Sequence, residues 1–398
     1  MRIFFFFILA ALFSINLPAQ IGSGCDGARY RYRIFDDISV DYDIPYGSNI
    51  SATGTNISLV MDIYQPAGDF VTNRPVVVVA HGGFFLGGSN DGSDVVPLCQ
   101  DLARMGYVAV SISYRLGISN FFALESSLQE AVVRGVQDAK AAVRYLRKTY
   151  TEDGNTWGID PERIVLGGSS AGGFIAVHAA YVDDLSEVPS SVNFNANGLS
   201  GGIEGDSGSP GYSSELLSIF SISGAIGDEA WISVGNIPVV STHGTNDGTV
   251  PFGTGYVQLS GINVTIVDGS EIIHNTTDLL GIDNCFHVFP GAGHTPHAAS
   301  TQYYDTTRAV TVGFTSRQVC PLYPPICGWY DVDSPPPIVN TCPADIVADG
   351  VITVADILEI LGQFGCAINC FADVDDDGTV TVSDVLFVLA VFGEPCPN

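Results

Sequence analysis

Residues 163–174 read Arg163-Ile164-Val165-Leu166-Gly167-Gly168-Ser169-Ser170-Ala171-Gly172-Gly173-Phe174, and this stretch decides how the rest of the chain is organised. A short β-branched run breaks into small residues, and a helix-like run from Phe174 to Tyr181 follows. That is what a strand turning sharply into a helix needs, and the spacing Gly168-x-Ser170-x-Gly172 holds one hydroxyl clear of its own backbone at the bend. The same spacing recurs at Gly198-Leu199-Ser200-Gly201-Gly202, in an irregular stretch with no strand before it. Ser170 is therefore the candidate nucleophile, and Ser200 reads as loop filler.

Outward from the bend, apolar runs recur at Pro75–Ala80, Tyr107–Ser113, Ile219–Ser223, Pro238–Thr242 and Phe286–Phe289. They are continuous rather than alternating, as expected of strands buried on both faces of a mostly parallel sheet. Between two of them, Leu128, Val132, Val136, Ala139, Val143 and Leu146 recur at spacings of three and four, which predicts a helix packed on that sheet. The expected class is α/β, with helices covering both faces. Residues 183–214, rich in Gly, Ser and Asn, interrupt the rhythm and read as a lid or rim insertion.

Acyl transfer by a serine also needs backbone N–H groups aimed at the developing oxyanion. Ala171 follows the nucleophile, and His81-Gly82-Gly83 follows the run ending at Ala80, so Gly82, Gly83 and Ala171 are the candidate donors. The orienting acid and the base should come later, each just past a strand. Asp247 follows the run ending at Thr242, and His294, in Gly291-Ala292-Gly293-His294, follows the run ending at Phe289. Asp268 and Asp278 compete for the acid, and His274, His287 and His297 for the base.

The set formed by His81-Gly82-Gly83 after a strand, Gly168–Gly172, Gly244-Thr245-Asn246-Asp247-Gly248-Thr249-Val250-Pro251 and the late Gly291–His294 resembles the α/β-hydrolase carboxylesterases over roughly Ile57 to Gln318. It is most similar to the bacterial lipase/esterase group that includes hormone-sensitive-lipase relatives and carbohydrate acetyl or feruloyl esterases. The resemblance implies an α/β-hydrolase fold, a Ser170–Asp247–His294 triad, oxyanion donors at Gly82, Gly83 and Ala171, and no cofactor for the chemistry. Two departures stand out. Ser169 replaces the acidic residue that the hormone-sensitive-lipase pattern carries before the serine, and Phe84 stands where a third glycine is common.

The ends of the chain speak to compartment and partners. Met1, Arg2 and Ile3 lead into the apolar run Phe4 to Phe13, so residues 1–19 read as a signal peptide, with an uncleaved anchor or a lipidated Cys25 as alternatives. The expectation is a secreted or extracellular protein with no transmembrane span after cleavage. Nine cysteines in an exported chain favour disulfides, with an odd one left over, although connectivity is not legible. With 15 Lys and Arg against 43 Asp and Glu, the net charge of −28 excludes nucleic-acid binding. Residues 20–330 are assigned to the catalytic domain and 331–341, around Pro335-Pro336-Pro337, to a stiff linker.

Residues 342–398 repeat with a period of 28, Cys342, Asp345, Asp349, Gly350, Thr353, Asp356, Leu358, Leu361 and Phe364 returning as Cys370, Asp373, Asp377, Gly378, Thr381, Asp384, Leu386, Leu389 and Phe392. Calcium loops place oxygen ligands at positions one, three, five, seven, nine and twelve, with glycine at six. The second repeat supplies Asp373, Asp375, Asp377, the Thr379 carbonyl and Asp384; the first keeps Asp345, Asp349 and Asp356 but has Val347 at position three. The duplicated loop and helix resembles the dockerin modules of polysaccharide-degrading enzymes. That implies a structural calcium and a cohesin-like or cell-surface docking partner, and it associates the ester substrate with polysaccharides. A prolyl-oligopeptidase-like peptidase, a lipase and a non-catalytic scaffold with an inert hydrolase domain are the competing readings.

Overall fold

The computed structural model describes residues 24–335, 342–347, 351–367, 370, 372–375 and 377–393. The apolar leader, most of the proline linker, Asp349, Gly350 and Cys396 lie outside the described residues. The described residues separate into two compact units, one ending before Cys342 and one beginning there.

In the larger unit the strands are β1 (Ile38–Ile50), β2 (Asn56–Pro66), β3 (Arg74–Ala80), β4 (Val108–Ile112), β5 (Ile159–Ser169), β6 (Ser218–Ile222), β7 (Ala225–Ile226), β8 (Val239–Gly244), β9 (Thr254–Leu259), β10 (Ile262–Gly269) and β11 (Asn284–Phe289). Eight of them form one sheet in the order β1-β2-β4-β3-β5-β6-β8-β11. The six from β4 to β11 in that order run parallel, and β2 is antiparallel to both its neighbours. The helices are α1 (Val96–Arg104), α2 (Leu124–Glu152), α3 (Ala171–Tyr181), α4 (Ser270–Leu280), α5 (Pro296–Ala299) and α6 (Thr301–Val319).

The valine run of β3 shows why the sheet is covered on both faces. Val76 and Val78 enter one core with α2 and α3, whereas Val77 and Val79 enter a second core with α1 and α6. Successive side chains of a strand point to opposite faces, so a strand without a solvent side must be apolar at every position. Each such valine contributes roughly 1.5–3 kcal/mol of burial. At the sheet edge β11 is only half-buried, although its sequence is as apolar as the others.

Two features were not expected from sequence. Strands β1 and β2 extend the sheet through an antiparallel pairing; β7, β10 and β9 make a separate three-stranded sheet. The cysteines pair as Cys25–Cys320 and Cys285–Cys327, with Cys99 buried and unpaired among the described residues. Among the described residues no helix is long and apolar enough to cross a membrane.

The smaller unit carries α7 (Val354–Gly362) and α8 (Val382–Ala390). Both begin with a capping box, Thr353 with Asp356 and Thr381 with Asp384, in which each side chain satisfies the other's backbone N–H. Ile352, Ile360, Val374, Val380 and Val388 form its small core, and Cys366 is bonded to Cys370.

Candidate active site

Strand β5 ends at Ser169 and α3 starts at Ala171, so Ser170 alone makes the bend, with φ 53° and ψ −111°. A non-glycine residue held there costs of order 1–3 kcal/mol and persists only where the surroundings impose it. They do so through close packing. A Cβ on Gly168 would lie 2.4 Å from the Ala80 carbonyl oxygen, and one on Gly172 would lie 2.0 Å from it. The Ser170 N–H is fixed by the Ile222 carbonyl at 2.8 Å.

The hydroxyl so presented meets the predicted partners. Ser170 Oγ lies 2.8 Å from His294 Nε2, and His294 Nδ1 lies 2.6 Å from Asp247 Oδ2. With Nδ1–H donating to the carboxylate, Nε2 is left free to accept the serine proton. Asp247 sits on the turn after β8, where its Oδ1 accepts the N–H groups of Thr249 at 2.8 Å and Val250 at 2.9 Å. Burial acts to raise its carboxyl pKa, but hydrogen bonds from His243, then His294, then the Val250 N–H outweigh it and hold the group well below the usual carboxylate range.

The rival residues are engaged elsewhere. Asp268 accepts from Thr254 Oγ1 at 2.5 Å and from the Glu229 N–H at 3.0 Å, and Asp278 accepts from Asn284. His274 donates to Asn284 Oδ1 at 2.8 Å, His287 packs edge-on against Phe289, and His297 is buried with no hydrogen-bond partner for either ring nitrogen among the described residues. Ser200 is exposed and bonded to Asp206.

One donor assignment is corrected. The Gly82 N–H, expected to face the oxyanion, instead donates to Asp94 Oδ2 at 2.7 Å and is not free to do so. Among the described residues the N–H groups of Gly83, Phe84 and Ala171 have no acceptor. The loop turns left-handed through Gly83 (φ 111°), Phe84 (φ 57°) and Phe85 (φ 58°), and a Cβ on Gly83 would collide with the Gly87 carbonyl oxygen at 2.1 Å. Phe84, which stands where a third glycine is common, adds a backbone N–H that the sequence did not single out. Asp94, twelve residues beyond Gly82, left no local signal of its role.

A cavity of about 480 Å³ opens from Ser170. Phe84, Phe85, Val132, Val136, Phe174, Trp231, Val250 and Val267 line it, and the insertion adds Val188, Val192 and Ile203. The insertion is a rim tied to α2 and its neighbours through backbone carbonyls. Buried Arg134 donates to Asn197 O, Arg144 to Glu204 O, Arg147 to Ser213 O and Glu215 O, and Gln137 to Gly202 O at 2.7 Å. Arg115, buried with Asp138 at 2.8 Å, donates to Gly198 O.

In the smaller unit, carboxylate oxygens of Asp373, Asp375 and Asp377 lie within 4.8 Å of one another, as a hard divalent cation requires. Asp373 accepts the N–H groups of Asp377 and Gly378, which curls the loop around that point. Asp384, expected to close the loop, is not in that group. It is buried, and it accepts the N–H groups of Val374 at 2.9 Å, Asp375 at 3.4 Å and Thr381 at 2.7 Å. Asp356 does the same for Val347 and Thr353 in the first repeat.

An eight-stranded, mostly parallel sheet with a serine on a tight strand-to-helix bend, followed in order by acid and histidine at later strand ends, is the α/β-hydrolase fold. Comparison with known proteins gives the following likenesses. The BD-FAE family model matches residues 61–202. Carboxylesterase 3B of Mus musculus is 36% identical over 182 residues, which cover 44% of this chain and 30% of that protein. The probable carboxylic ester hydrolase LipM of Mycobacterium tuberculosis is 30% identical over 149 residues, covering 37% of this chain and 30% of that protein. The chain thus spans under a third of the length of these curated relatives. Among solved structures, a truncated carbohydrate esterase from gut microbiota superposes with TM-score 0.49 at 18% identity, covering 72% of this chain and 98% of that one.

Proposed function

We propose that the chain is a secreted serine carboxylic-ester hydrolase working through an acyl-enzyme. The reading rests on one observation, the unbroken run Ser170 Oγ to His294 Nε2 at 2.8 Å and His294 Nδ1 to Asp247 Oδ2 at 2.6 Å, beside three free N–H groups. His294 takes the Ser170 proton as Oγ attacks the ester carbonyl, and the N–H groups of Gly83, Phe84 and Ala171 receive the oxyanion. His294 then returns the proton to the departing alcohol, and water activated by the same imidazole hydrolyses the acyl group. Asp247 keeps the proton on Nδ1 throughout.

The apolar cavity beside Ser170 takes the acyl side, and feruloyl or short acyl esters of polysaccharides are the proposed substrates. The smaller unit would hold calcium through Asp373, Asp375, Asp377 and the Thr379 carbonyl, where the ion supplies folding energy rather than chemistry. It is proposed to dock the enzyme to a cohesin-like or cell-surface partner.

The test is hydrolysis of a nitrophenyl-ester panel and of acetylated or feruloylated xylan by the full chain and by Ser170→Ala. Turnover lost in the variant supports the reading; activity that survives in it sinks the reading, and preference for long acyl chains would redirect it to lipase.

A further inference from the structure

Asp247 has more donors than a triad needs. His243, fully buried on β8, directs Nε2 toward Asp247 Oδ2 at 3.2 Å and the Val250 carbonyl at 3.3 Å. Its Nδ1 lies 2.8 Å from the buried Ser270 Oγ at the start of α4. Both neighbours of Nε2 can only accept, so that nitrogen carries the proton. A neutral ring then accepts the Ser270 hydroxyl proton at Nδ1, and Ser270 fixes which way the ring faces.

The consequence lies at one oxygen. Oδ2 is the atom that receives the His294 Nδ1–H, so it serves two imidazoles while Oδ1 serves the N–H groups of Thr249 and Val250. We propose that His243 is a positioning residue of this site: its Nε2–H, set by Ser270, fixes the rotation of Asp247 and draws charge from Oδ2, so that the carboxylate orients His294 without holding the imidazolium too firmly. This rests on the serine-hydrolase reading above. The hydrogen-bonded neighbours of His243 are Asp247, Val250 and Ser270; Phe252 lies edge-on at 5.7 Å, and Asp247 is the one ionisable group among them.

His243→Gln and His243→Asn separate the donor from mere packing. The Gln amide spans to the place of Nε2 and can still donate to Asp247, whereas the Asn amide reaches only the place of Nδ1 and Ser270. Rates are normalised to sites titrated with a fluorophosphonate, which must label the wild-type protein at Ser170. Absence of that labelling defeats the serine-hydrolase reading itself, a separate outcome.

With labelling present, the Asn variant is expected to lose about tenfold or more in kcat, the size of one hydrogen bond to a charged group, with KM unchanged. The acid limb of its kcat/KM profile should move to higher pH, because a carboxylate with one donor fewer holds its neighbour's proton more firmly. The Gln variant should stay within a few-fold of wild type, with the limb unmoved. Should the Asn variant fail to fold, His243→Phe, close in shape and without a donor, reads the same loss. The proposal is overturned if the donor-less variant keeps wild-type kcat and pH profile, or if Gln is as impaired as Asn.

Discussion

The two units build their polar sites in opposite ways. In the larger one, Ser170, Asp247 and His294 come from strand ends up to 124 residues apart, Asp247 is fully buried, and every lone pair that matters has a named donor. In the smaller one, Asp373, Asp375 and Asp377 are neighbours on a single, largely exposed loop. A buried carboxylate is held by preformed donors and works because water is excluded, whereas exposed carboxylates repel one another until a cation arrives. The first site therefore depends on the whole sheet, and the second on a dozen residues and the cation proposed for it.

That contrast can be tested from its largest expected effect downward. Asp247→Asn should lower kcat by about four orders of magnitude with modest change in KM, measured on a nitrophenyl ester, because the amide cannot hold the Nδ1–H tautomer. Asp138→Ala, which strands the buried Arg115 cation, should cost about 3–5 kcal/mol in chemical denaturation and loosen the rim.

Burial pushes the His274 ring down to about 4 despite its bond to Asn284. Its neutral form therefore persists in the folded chain while the unfolded chain takes up a proton from about pH 6.5. His274 should contribute a fall in stability of up to about 3 kcal/mol as pH drops from about 6.5 to 4, and His274→Phe should reduce the slope in thermal melts while leaving the share of His178, which burial also pushes down to about 4. Asp94→Ala, which releases the Gly82 N–H, should reduce kcat roughly tenfold with KM nearly constant. Chelation should unfold the smaller unit, followed by calorimetry, while leaving nitrophenyl-ester turnover unchanged. Joint loss of both would erase the contrast, and Val347→Asp should raise the calcium stoichiometry.

The parts of the fold legible in sequence are those where burial leaves one chemical option. Strands β3 to β6 and β8 show as continuous apolar runs because neither face meets water; Ser170 and Asp247 were found because each directly follows such a run, and His294 because it follows the apolar, half-buried β11. Strands β1 and β2 did not announce themselves: β1 is mostly exposed, and its polar positions break any continuous apolar run. The rim's anchoring was hidden for the converse reason. Arg134, Arg144 and Arg147 look like the solvent face of α2, yet they are buried beneath residues 197–215, whose carbonyls they satisfy. Which of Gly82, Gly83 and Phe84 offers a free N–H depends on backbone turns and on Asp94, and no spacing encodes either.

The Cys25–Cys320 bond joins the two margins of the larger unit, 295 residues apart in sequence. A protease that clips any loop between them, the glycine-rich rim included, would leave two fragments that still travel as one covalent molecule. Such a nick would pass unnoticed on a non-reducing gel and appear only when thiol is added, so a single cut need not release a piece of the chain.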